Sequence, residues 1–239
     1  MRLAFRDLFE RASAYLVNSG PSIEAGPSTS PHEIAARWEV QRTLDDAVDA
    51  IRRADADGAI ALVEGLQRNR PVLASLLALM NGSGDTALRD YARQVLRRDP
   101  ELVHERLRHG RTLLHEASAD GDSAAVEFLL SLGADPNATD GGGHTPLYSV
   151  ANECGAAGGG SVVRALIGRG ADVNARGGAK RCTPLHMAAR RGNVEIAEAL
   201  LECGAEIEAR DRAGDTPLRR AVNCKKPAVA ALLLRRQQS

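Results

Sequence analysis

The sequence predicts a mainly α-helical solenoid of helix-turn-helix units, with short β-hairpin fingers between units and a helical N-terminal cap. Three observations carry this. A short signal recurs as Thr112-Leu113-Leu114-His115, Thr145-Pro146-Leu147-Tyr148, Thr183-Pro184-Leu185-His186 and Thr216-Pro217-Leu218-Arg219, at intervals of 33, 38 and 33 residues. Apolar residues behind each signal follow helical spacing, as in Val194, Ile196, Ala197, Leu200 and Leu201. The 239 residues are 44% hydrophobic but only 3% aromatic, a composition suited to a thin core of Ala, Leu and Val. One such unit cannot bury its own apolar face, so neighbours must stack.

Residues 1–31 precede the regular pattern. Phe5, Leu8, Phe9, Ala12 and Leu16 share one face of an amphipathic helix, which either docks on its own domain or meets a partner or lipid surface. Asp7 and Glu10 interrupt it, unlike a secretion signal. The stretch 18–31 (NSGPSIEAGPSTSP) reads as a flexible linker. From 32 to 109 the pattern is helical, with Ile34, Trp38, Leu44, Val48 and Ile51 as apolar positions of a long first helix. Further helices are expected over about 56–68, 71–80 and 86–98. The last one, followed by Asp99-Pro100-Glu101-Leu102-Val103, has the form of a degenerate unit. Residues 32–109 therefore read as a helical N-terminal cap; an independent helical domain is the alternative.

Within a unit each residue type has a task. Thr183 is an N-cap, Pro184 sits where a missing N–H costs nothing, and Gly192 suits a left-handed helix end. Gly204-Ala205 breaks the second helix, and 206–215 returns as an extended finger. A unit of about 33 residues that opens Thr-Pro-Leu-His and continues into apolar helices resembles the ankyrin repeat. The resemblance covers roughly 99–239, with copies at about 110–142, 143–180, 181–213 and 214–239. The second copy is longer by five residues: four fall within 152–160 and the fifth within 176–181. Such insertions either shape a binding face or are tolerated hinges.

The resemblance implies non-catalytic protein binding on a concave surface of finger tips and first helices. Carried over residue by residue, it points to four rows. These are Arg108, His109 and Arg111 with Glu116, Ala119 and Asp120; then His144, Asn152 and Glu153 with Gly142 and Ser149; then Lys180, Arg181, Met187, Arg190 and Arg191; then Arg212, Asp215 and Arg220 with Asn223 and Cys224. Met187, apolar among charges, is the expected anchor. The resemblance gives His115 and His186 structural hydrogen bonds to backbone. Arg219 replaces that histidine in the last copy, where its loss is tolerable.

No catalytic residue, cofactor or metal site is expected. The chain has no phosphate-binding loop with its lysine, no His-Glu-x-x-His and no Gly-x-Ser-x-Gly. Gly158-Gly159-Gly160 precedes a helix and could offer amides to an anion, but without a leading strand it reads as the hinge of the insertion. Cys154, Cys182, Cys203 and Cys224 lack Cys-x-x-Cys spacing and read as reduced thiols. No apolar run reaches the roughly 20 residues of a membrane span.

The 31 basic and 31 acidic residues balance overall, but not along the array. Residues 110–175 hold three basic and eight acidic side chains, net −5, whereas 176–239 hold thirteen and seven, net +6. The basic half is expected to take an acidic segment of a protein partner. Nucleic acid fits poorly, because no aromatic residue follows Tyr148 to stack on bases. The expected role is a cytoplasmic scaffold, adaptor or inhibitor, with a monomer favoured; Leu232-Leu233-Leu234 turn inward or leave an apolar end for self-association. The Ala/Arg/Asp/Gly-rich composition suggests a bacterial source. The alternative is a secreted or delivered effector that grips a host protein, with 1–31 as its export segment.

Overall fold

The structure, a computed structural model, describes residues 42–238 apart from 44, 52, 54, 66–69 and 156. The amphipathic helix and linker expected over 1–31, and the start of the helix expected from 32, lie outside the described residues. The chain divides into two compact units, 1–108 and 109–239.

In the first unit a helix over 45–51 (α1) buries Ala47, Val48, Ala50 and Ile51. It is followed by α2 (Ala56–Gly65), α3 (Arg70–Gly82) and α4 (Thr86–Arg98). The centre of α3 is apolar on its buried side, with Leu73, Leu76, Leu77 and Met80 all removed from solvent. Asp85 caps α4 by accepting from the Leu88 amide at 3.0 Å. Beyond α4 a 3-10 turn, Pro100–His104, buries Leu102 and Val103. Arg70 ties the start of α3 to that region through Glu105 (2.7 Å) and Asp99 (2.8 Å).

The second unit is four helix pairs: α5 (Leu113–Asp120) with α6 (Ser123–Ser131), α7 (Pro146–Glu153) with α8 (Gly159–Gly168), α9 (Pro184–Arg191) with α10 (Val194–Glu202), and α11 (Pro217–Asn223) with α12 (Pro227–Gln237). First helices stack in the order α5–α7–α9–α11 and second helices as α6–α8–α10–α12. Thr145, Thr183 and Thr216 each cap a first helix through the hydroxyl oxygen. Asp122 and Asn193 cap second helices by accepting from Ala125 and Ile196.

A buried histidine joins one pair to the next. The Thr183 amide donates to His186 Nδ1 at 3.2 Å, so the ring proton sits on Nε2, which donates to the Asp215 carbonyl at 2.9 Å. His115 repeats the arrangement, accepting from Thr112 at 3.1 Å and reaching the His144 carbonyl at 3.0 Å. Both rings are fully buried, and the backbone role implied for them holds. Tyr148 occupies the register in the second copy and stacks on His144 instead, with ring centroids 4.2 Å apart.

The fingers differ from the expected β-hairpins, since no strand forms among the described residues. Asp140 donates to the His144 carbonyl at 2.9 Å and Asp211 to the Asp215 carbonyl at 3.0 Å, so two fingers are single closed turns. The third, one residue longer, closes through an isolated antiparallel bridge between Gly177 and Cys182. A turn of this length consumes the finger, and a ladder has no residues left to form on. Neighbouring fingers share single amide bonds, Gly141 to the His109 carbonyl (2.6 Å) and Arg212 to the Lys180 carbonyl (2.8 Å).

Two consequences for stability can be measured. Burial holds the His186 imidazole below its ordinary value of 6.5. The unfolded chain therefore takes up a proton first, and the stability from this neutral ring, full above 6.5, is lost as pH falls below it. The thermal midpoint should drop on acidification through this range, and a His186→Asn variant should show a shallower drop from a lower starting point. Second, Lys225 holds φ 55 at the register where Gly121 and Gly192 close the other first helices. Lys225→Gly should raise unfolding free energy by about 0.5–1 kcal/mol, because a side chain is strained in left-handed backbone; urea denaturation checks this.

Candidate protein-binding surface

The fingers and first helices of the second unit carry most of the residues implicated by sequence. The fold separates them into side chains turned against each other and side chains left to solvent.

Arg111 belongs to the first group. Its side chain is 14% exposed, with Nε 2.7 Å from Glu116 and Nη1 2.9 Å from Glu153. Nη2 also donates to the His115 carbonyl at 3.3 Å. Arg111 thus clamps two carboxylates from consecutive copies. Arg220 does the same in the fourth copy: it donates to Asp211, whose carboxylate is fully buried, and lies 3.7 Å from Asp215. Burial alone would push the Asp211 carboxyl up. The Arg220 bond and the amides of Asp215 and Ala213 outweigh it and hold the group below the usual range. Asp215 is further engaged by Arg219 at 3.0 Å. As partner contacts, Arg111, Glu153, Asp215 and Arg220 are largely satisfied within the chain.

Met187 is the clearest correction. Only 4% exposed, it lies inside the array and is no anchor; Ser149 at the same register is 1% exposed, and Ala119 is 8% exposed. The first helices approach closely enough to close over these positions, so the exposed stripe is narrower than helical spacing suggested. His144 is half-buried, with Nδ1 3.1 Å from Asp140. The Asp140 carboxyl, pushed up by burial, is brought below its usual range by the amides of His144 and Gly142 and by the His144 ring.

The remaining cations are differently placed. Lys180, Arg181 and Arg212 are exposed at the fingers, where Arg212 donates to the Ala179 carbonyl at 3.4 Å. His109 is exposed with φ 57, and Arg108 is half-buried in the first unit. Arg190 Nη2 and Arg191 Nε both donate to one neutral acceptor, Asn152 Oδ1, at 2.8 and 3.2 Å.

Two groups escaped sequence reasoning. Asp140 and Asp211, each five residues before a capping threonine, organise their fingers by accepting amides two and four residues on. That recurring aspartate was the available signal. The other is Glu195, whose carboxylate accepts from the Gly160 amide at 3.0 Å. The glycine run thus receives an anion from its own chain, and the insertion is packed against the next copy. A Cβ on Gly159 would lie 2.7 Å from Ile196 Cδ1.

Among the described residues, no group of three or more His, Cys, Asp or Glu could hold a metal ion, and no helix is long and apolar enough to cross a membrane. All four cysteines are free, and burial pushes the Cys182 thiol up. Arg111→Ala should cost about 3 kcal/mol, because it removes the guanidinium that neutralises two largely buried carboxylates. Equilibrium unfolding measures that loss; a change below about 1 kcal/mol would mean the cluster is solvent-screened.

A family model described as ankyrin repeats (3 copies) matches residues 40–177 and 153–239. Tyrosine-protein kinase HTK16 of Hydra vulgaris is 38% identical over 117 residues, which is 49% of this chain and 15% of the kinase. SH3 and multiple ankyrin repeat domains protein 2 of Homo sapiens is 32% identical over 129 residues, 54% of this chain and 7% of that protein. Ankyrin repeat and SOCS box protein 3 of Bos taurus is 44% identical over 111 residues, 46% of this chain and 20% of that protein. The chain spans a fifth or less of each of these relatives, so no kinase or other activity passes to it from them. These relatives are animal proteins and others are from plants, which lends no support to the bacterial source suggested by composition. The helix pairs, the histidine ties and the family match agree: the chain belongs to the ankyrin-repeat family, whose arrays are protein–protein interaction modules.

Proposed function

We propose that the chain is a non-catalytic scaffold, adaptor or inhibitor that takes an acidic segment of a protein partner across the third and fourth repeats. The observation that carries this reading is the distribution of neutralised charge. Arg111, Arg219 and Arg220 face carboxylates of their own chain. Lys180, Arg181, Arg190 and Arg191 have no ion pair to a carboxylate among the described residues, and Arg190 and Arg191 meet only an amide oxygen. An uncompensated cationic face favours approach of an acidic partner and sets its orientation. The lack of aromatic residues beyond Tyr148 weighs against nucleic acid. On the same reading the protein works in the cytoplasm as a monomer, 32–109 serve as the N-terminal cap, and 1–31 act as a docking or targeting segment.

The test is a lysate pull-down with wild type and the Arg190→Glu/Arg191→Glu variant, with the variant's fold checked by circular dichroism. A partner held by wild type should be lost by the variant. Its affinity for wild type should fall at least about tenfold when salt rises from roughly 0.05 to 0.5 M, as expected for exposed charges. A partner retained by the folded variant, or binding indifferent to salt, overturns the proposal.

A further inference from the structure

Resting on that reading of the third and fourth repeats, the geometry points to a narrower ligand. We propose that Arg190 and Arg191 seat a phosphomonoester carried by the partner peptide, while Lys225 and Lys226 meet acids flanking it.

Two guanidinium groups come within hydrogen-bond reach of a single oxygen, Asn152 Oδ1. Both are positive, each uses one donor there, and neither is paired with a carboxylate among the described residues. Their place in the last turn of α9 offsets part of the repulsion, since the helix end carries partial negative charge. The aliphatic stem of Lys226 crosses the end of that helix: a Cβ built on Gly192 would lie 2.6 Å from Lys226 Cδ. Lys225 is adjacent and exposed. Four cations from two repeats therefore share one rim, at the opposite end of the first helices from the fingers.

Charge and valence choose the anion. A carboxylate brings one charge and two oxygens, enough for one guanidinium fork. A phosphomonoester brings about −1.5 to −2 at neutral pH and three acceptor oxygens, enough to bridge two forks. Asn152 supplies an oxygen at the meeting point without supplying charge, so it orients both arginines and leaves them cationic. Elsewhere in the array, at Arg111 and Arg220, the corresponding demand is met by Glu153, Glu116 and Asp211.

The experiment titrates the full 15N-labelled chain with O-phosphoserine, and separately with glutamate at matched ionic strength, following the arginine Nε–Hε resonances. Phosphoserine should shift Arg190 and Arg191 saturably, at least tenfold more tightly than glutamate, and leave Arg111 and Arg220 unmoved. Asn152→Asp places a carboxylate at the meeting point; it should abolish the shift while keeping or raising the thermal midpoint, which separates loss of the site from loss of the fold. A degenerate acidic peptide library with central phosphoserine should bind more tightly than the same library with serine or glutamate, and more tightly than inorganic phosphate. Equal response to glutamate overturns the phosphate assignment and leaves the acidic-segment reading standing. No shift at either arginine also overturns it, with the pull-down still deciding the broader reading. Tighter binding of a single-stranded oligonucleotide than of the phosphopeptides overturns it in favour of nucleic acid.

Discussion

The buried imidazole between successive repeats is the contact on which the array depends. It closes the first turn of its own helix through Nδ1 and reaches the carbonyl before the next capping threonine through Nε2, 29 residues ahead in both His115 and His186. A buried carbonyl without a donor would cost about 1–3 kcal/mol, so the ring sets the spacing of neighbours as well as their attachment. Where Tyr148 replaces it, the third finger has an extra residue and satisfies the Cys182 carbonyl through Gly177. A second set of ties runs along the other side. Asn137 bonds both Gly170 and Asp172, and Asn174 bonds Glu206, so the seam lacking a histidine is still bridged by Asn137's neighbour one repeat on.

Close stacking of thin units also explains the composition. Ala188, Ala189, Ala197 and Ala199 are fully buried, and at Gly159 even a methyl group would collide with Ile196. Interiors at such separation favour small residues and penalise added volume. The inserted glycines of the second copy are thus part of the packing, and Glu195 closes the helix end they expose.

Charge in this protein divides by what it faces. Arg111 and Arg220, whose side chains are largely removed from water, meet carboxylates, because an isolated buried charge is costly. Lys180, Arg181, Arg190 and Arg191 form no ion pair to a carboxylate among the described residues, and Arg190 and Arg191 share one amide oxygen. The neutral total of the sequence conceals this difference, which appears only where the fold decides which charges are compensated within the chain.

Much of the second unit was legible in the sequence. The phase of Thr112, Thr145, Thr183 and Thr216 located every first helix, and the histidines' role followed from the repeat they resemble. These features are local and periodic: a cap, a proline and helical spacing act within a few residues of one another. What the tertiary structure alone decided is which side chains stay free. Met187 disappears between first helices, Arg111 and Arg220 are consumed by acids 42 and 9 residues away, and Asn152 gathers two arginines from the next repeat. Most of those pairings cross between repeats, at distances set by stacking and not by spacing within any one helix.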